Sequence, residues 1–166
     1  MKLLHVSETS GIARFVPRPA ADGVAKVWAV EERTLVNYLL PRDCPRLCFH
    51  PGPDATPDEL ALLGGAAAVV AIEQAWAARV NAASVWVYDM PAESFRNIDP
   101  VAGYWISETP VTPVAARLET DLPARIAARG AQLRVLDSLW PLHDVVTASG
   151  LAFSAIRMRN AALRPA

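Results

Sequence analysis

CPRLCFH, residues 44–50, sets two cysteines, an arginine and a histidine within seven positions. The segment reads either as chemistry or as a strand, and the rest of the fold turns on which. Side chains alternate between the faces of a strand, so Cys44, Arg46, Cys48 and His50 point one way while Leu47 and Phe49 point the other. At ~3.3 Å per residue the two cysteines stand about 13 Å apart, too far for a disulfide. Their C-x3-C spacing is not the C-x2-C knuckle of a structural zinc site, and completing a site would require distant partners such as His5 and His143. The segment therefore reads as a strand, Arg46 to His50, stopped by Pro51-Gly52-Pro53-Asp54, with reduced cysteines and no bound metal.

Punctuation outward from this strand is regular. VWAV (27–30) and SVWVYDM (84–90) are β-branched and aromatic runs, and a first strand covers Leu3 to Val6. Residues 15–23 read as a loop, and Glu31 to Leu40 as a short helix ending before Pro41. Thr56, Pro57 and Glu59 form a capping box, the clearest helix start in the chain. Val69, Ile72, Trp76 and Val80 recur at steps of three and four, which predicts a helix to about residue 82, although its first residues, AAVVAI, also suit a strand. GYWISETPV (103–111) and Gln132 to Leu136 are further strands. Helices are expected over Asp121 to Arg129, closed by Gly130, and within residues 138–150; LAFSAIRMR (151–159) suits either state.

The order of elements lacks a βαβ rhythm. The expected fold is α+β: a single domain over residues 1–166, with a mixed, strongly bent sheet of about six strands and several helices. With 16 Lys and Arg against 17 Asp and Glu, the chain has no basic footprint for duplex nucleic acid. No apolar run reaches membrane-spanning length and the first ten residues carry no signal-peptide core, so a cytoplasmic protein is expected. Neither common glycine-rich phosphate loop is present.

Several polar residues interrupt otherwise apolar segments. His5 and Ser7 end the first strand; a histidine inside an apolar strand has either a hydrogen-bond partner or a ligand. Arg14, Arg18, Arg42 and Arg46 lie in or beside proline-rich loops, where guanidiniums converge on a carboxylate or a phosphate. Trp28 and Tyr104 supply aromatic walls, and Glu108 a nearby carboxylate. Arg157 and Arg159 require anions of their own; an internal carboxylate such as Asp43, Glu73 or Asp99 is the expected partner of at least one.

The stretches LLHVSETSGIARFVPRP, VWAVEERTLVNYLLPRDCPRLCF, YDMPAESF, VAGYWISETPVTP and LWPLHDVVTASGLAFSAIRMRNA resemble an uncharacterised family of small bacterial proteins, a likeness that implies no activity. A second resemblance, through a histidine in the first strand, an aromatic strand and a glutamate on a later one, is to ADP-ribosyltransferase-like domains. It implies NAD as cofactor, His5 on its ribose, Trp28 or Tyr38 against its ring, and Glu108 as the catalytic carboxylate. The expected function is then a pocket beside the first strand that binds a nucleotide or another small anionic ligand through His5, Ser7, Trp28, Arg42, Arg46 and Tyr104. The competing expectation is a non-catalytic structural or interaction domain, its arginines consumed by internal pairing.

Overall fold

A computed structural model describes residues 1–164. Among these residues eleven strands are formed: β1 (Leu3–Ser7), β2 (Arg18–Pro19), β3 (Ala25–Glu31), β4 (Arg46–His50), β5 (Ala68–Glu73), β6 (Val85–Met90), β7 (Arg96–Asp99), β8 (Tyr104–Ser107), β9 (Ala115–Glu119), β10 (Ala131–Leu136) and β11 (Ala152–Ile156). Four α-helices join them: α1 (Pro57–Ala61), α2 (Gln74–Ala82), α3 (Leu122–Ala127) and α4 (Trp140–Thr147). A 3-10 helix spans Glu32–Tyr38, with shorter turns at Ala92–Ser94 and Met158–Asn160.

The fold is α+β, with its strands divided between two sheets. One runs β7-β8-β3-β1-β6-β9, with β2 added beside β3, and the other runs β10-β5-β4-β11. Pairing is antiparallel except between β10 and β5. β4 explains why two sheets are needed, because both its faces are covered. Cys48 joins Leu4, Val30 and Val87 of the first sheet, Val70 and Ile72 of β5, Val80 of α2, and Leu122 and Ile126 of α3 in one core. Leu47 and Phe49 face the other way, into a core with Leu63, Leu139, Val146 and Leu151. The alternation read from residues 44–50 is correct, although Cys44 lies just before the strand. The first sheet's far face packs Leu3, Val27, Ala29, Tyr88 and Met90 against Phe15, Phe95 and Val111.

The helix boundaries follow local chemistry. Thr56 accepts a bond from the Glu59 amide while the Glu59 carboxylate accepts one from the Thr56 amide, so the expected capping box is formed. α1 is only five residues long because Gly64 and Gly65, both at positive φ, turn the chain into β5. Residues 69–82 do not form one helix. Val69 through Ile72 lie in β5, between two cores, and the helix begins only at Gln74. A fully buried strand has no polar face to reveal its period, and so imitates a buried helix. Residues 151–159 resolve into β11 and a short turn, with Arg157 at φ 56° between them.

β11 is seated by a close backbone approach at its start. A methyl group on Gly52 would overlap the Gly150 carbonyl and reach the Ala152 amide nitrogen at 2.8 Å. Gly52→Ala therefore has to push the β11 entry away from β4. Denaturant unfolding should show a loss of roughly 1–3 kcal/mol, the usual cost of overpacking; an unchanged midpoint would mean that this approach is slack.

Candidate functional site

β1 and β3 are neighbours for only two residue pairs, Leu3 with Glu31 and Leu4 with Val30. Beyond Leu4 they separate: β1 stays on β6 as far as Ser7 with Trp86, and β3 stays on β8 as far as Val27 with Ser107. The His5 ring fills the start of the gap. Its Nδ1 donates to the Trp28 carbonyl at 2.7 Å, replacing a ladder bond, and the ring lies 4.6 Å from that of Phe15. With Nδ1 carrying the proton, Nε2 is left as an acceptor.

A cavity of about 550 Å³ opens in this gap, bordered by His5 to Thr9 of the first strand and its exit, Lys26 to Trp28 of β3, Tyr38, Leu40 and Arg42. Arg14 and Arg18 border it from the intervening loop, and Arg46 and Arg157 from the second sheet. That loop is held in place: Phe15 bridges to Val111, β2 pairs with β3, and the Tyr88 hydroxyl donates to the Thr9 carbonyl at 2.7 Å. Trp28 is 41% exposed.

Charge is the cavity's distinguishing property. Five arginines and Lys26 border it, against one carboxylate, Glu8. Lys26 is neutralised by Asp22. None of the five arginines forms an ion pair with a carboxylate among the described residues; elsewhere Arg33, Arg96, Arg117, Arg125, Arg129 and Arg164 do, while Arg79, Arg134 and Arg159 do not. The His5 imidazole is held below its ordinary value of 6.5 chiefly by burial, with Arg42 and Arg18 adding to the effect and the bond to Trp28 opposing it.

Arg46 differs from the other four. It is 2% exposed, and its fork donates to four carbonyls: Nε to Cys44 (2.9 Å), Nη1 to Asn37 (3.0 Å), and Nη2 to Pro41 (2.7 Å) and Arg42 (3.0 Å). It ties the 3-10 helix and the loop to Cys44 around the start of β4, placing Tyr38, Leu40 and Arg42 on the cavity wall. Four carbonyl dipoles satisfy its hydrogen bonds without cancelling its charge.

The other sequence-derived site residues separate. His5, Ser7, Trp28, Arg42 and Arg46 all border the cavity. Tyr104 stands behind its wall, edge-on to Trp28 (6.3 Å) and Tyr38 (6.4 Å), with its hydroxyl 3.0 Å from Ser154 Oγ across the gap between the sheets. Glu108 lies outside, on the surface, where Arg96 holds it at 2.8 Å. Neither Tyr104 nor Glu108, which the transferase resemblance sets beside His5, borders the cavity that His5 lines. Arg157 and Arg159 are not paired with Asp43, Glu73 or Asp99. Glu73 instead accepts from the backbone amides of Leu139 and Ala162. Cys44 and Cys48 are free and buried, and burial pushes their thiols up to about 11 and about 12, far from reactive thiolates.

The sequence reading missed Lys26 as a cavity residue and did not connect Arg157 with His5. The gap between β1 and β3 is a tertiary feature with no local signal, whereas the cluster of arginines among prolines was visible.

The chain belongs to a family of unknown function (DUF6886), whose model matches residues 4–161. No curated protein and no solved structure matches it. Among the described residues no helix is long and apolar enough to cross a membrane.

Two outcomes follow from the geometry. Arg46→Lys retains the charge but not the fork, orphaning at least one buried carbonyl, so chemical denaturation should show a loss of about 1–3 kcal/mol; full stability would mean that the clamp is dispensable. Because the folded-state His5 value is depressed, its contribution to stability is complete above 6.5 and is lost as pH falls below 6.5 toward the folded value. Melting curves against pH should therefore show a decline in that window that is shallower in His5→Gln; parallel pH profiles would show that His5 titrates normally.

Proposed function

We propose that the cavity between β1 and β3 binds a small anionic ligand, its charge held by the arginines and any flat organic part lying against Trp28 and Tyr38. The observation carrying this reading is the set of five guanidiniums around one cavity without a carboxylate partner among the described residues. Like charges gathered this way repel one another, and an anion entering the cavity removes that cost. The cavity's size falls within the range of small-molecule sites, roughly 300–1,000 Å³, and its walls combine aromatic faces with a few convergent polar groups. A nucleotide is the form of ligand that would use both the charged and the aromatic wall. Arg42, Arg18 and Arg14 are exposed enough to meet a ligand, whereas Arg46 supplies charge from behind the surface.

The competing account, in which these arginines serve only internal structure, makes the opposite forecast for one variant. In the Arg18→Ala, Arg42→Ala double variant, relief of repulsion should leave the melting temperature of the free protein unchanged or raised. The same variant should lose most of the upward shift that AMP or sulfate gives the unaltered chain, a shift worth about 2.7 kcal/mol at 100 times the dissociation constant. Thermal melts with and without these anions measure both effects. A lower melting temperature in the double variant, together with no anion-induced shift in the unaltered chain, would establish the structural account instead.

A further inference from the structure

Resting on the anion-binding reading above, we infer that the ligand carries two or more linked phosphate groups, and that Arg157 is the residue that closes on them from the second sheet. The first observation is how the charge is distributed. Arg14 comes from the loop after β1 and Arg18 from β2 at the end of that loop, Arg42 from the loop before β4, and Arg157 from just after β11, so the arginines approach the cavity from three separate stretches of chain. A carboxylate presents two oxygens in one plane and is satisfied by a single fork. Tetrahedral phosphates present oxygens in every direction, and a chain of them can accept donors from several sides at once. Four arginines on the wall with Arg46 behind them also exceed what one phosphate dianion can balance, since Glu8 is the sole carboxylate on the lining.

The second observation is the backbone at Arg157. It stands at φ 56°, one of two non-glycine residues at positive φ among those described, and its side chain borders the cavity. The other, Asp121, has a local explanation, because its carboxylate caps α3 by accepting from the Ala124 amide. Arg157 makes no side-chain hydrogen bond at the following turn. A left-handed arginine costs of order 1 kcal/mol that glycine would avoid. Here the strained position puts an arginine on the lining of an already cationic cavity. Strain and repulsion both oppose that placement in the free protein, and a polyanion would repay them.

The experiment is isothermal titration of the full chain and of Arg157→Gly with orthophosphate, pyrophosphate and citrate at low ionic strength. Glycine suits the backbone, so Arg157→Gly should melt no lower than the unaltered chain, which separates loss of the ligand contact from loss of the fold. Pyrophosphate should bind the unaltered chain at least about tenfold more tightly than orthophosphate or citrate. Arg157→Gly should lose about tenfold in pyrophosphate affinity and little for orthophosphate. Equal affinity for orthophosphate and pyrophosphate, or citrate matching pyrophosphate, would overturn the linked-phosphate assignment while leaving an anion site in place. Unchanged pyrophosphate binding by Arg157→Gly would overturn the part given to Arg157. Failure of all three anions to bind would remove the anion-binding reading itself.

Discussion

The arrangement rests on one buried cation. Arg46 begins a strand covered on both faces, and its guanidinium gathers the carbonyls of Asn37, Pro41, Arg42 and Cys44 around itself. The Pro41 carbonyl also accepts from the Cys44 amide at 3.0 Å, but a buried carbonyl left without any partner in this irregular segment costs about 1–3 kcal/mol. The clamp thus makes an ordered wall of the chain between the two sheets. Burial draws the Arg46 proton affinity down, and no carboxylate among the described residues pairs with it. The same side chain therefore builds the wall and charges it.

From this clamp the cavity follows in steps. The wall positions Tyr38 against Tyr104, whose hydroxyl meets Ser154 across the gap between the sheets. On the facing side, His5 replaces a strand-to-strand bond with one to the Trp28 carbonyl, and β1 parts from β3. Parting two central strands sacrifices ladder bonds, a cost accepted at sites that must admit something. The loop from Thr9 to Ala20, pinned by Tyr88 and Val111, then brings Arg14 and Arg18 over the opening.

Much of this was legible in the sequence because it is local. The capping box at Thr56 and the strand at Arg46–His50 each depend on residues a few positions apart and are found where expected, whereas the helix expected to run to Gly130 ends at Ala127, with Gly130 at φ 74° in the turn that follows. The histidine in the first strand and the arginines among prolines likewise marked themselves by breaking an apolar pattern. What the sequence concealed is long-range. Residues 68–73 are apolar on every side because cores lie on both faces, so their spacing could not separate strand from helix. β7 and β9, short edge strands with at least half their residues exposed, carry too little pattern to be read. Glu108 looked like a partner for His5 because both are polar residues at strand ends, yet the sheet order sets β3 between their strands and leaves Glu108 to Arg96.

The central claim is that the free guanidiniums of this cavity exist to hold an anion, and an anomalous-diffraction experiment tests it most directly. Crystals soaked in bromide, and separately in tungstate as a heavy analogue of phosphate, would reveal anion positions independently of any assumed ligand. The account predicts the strongest anomalous peak inside the cavity, within hydrogen-bond reach of at least two of Arg14, Arg18, Arg42 and Arg157. Peaks confined to the paired surface arginines around Glu119 and Glu108, with an accessible cavity left empty, would contradict it.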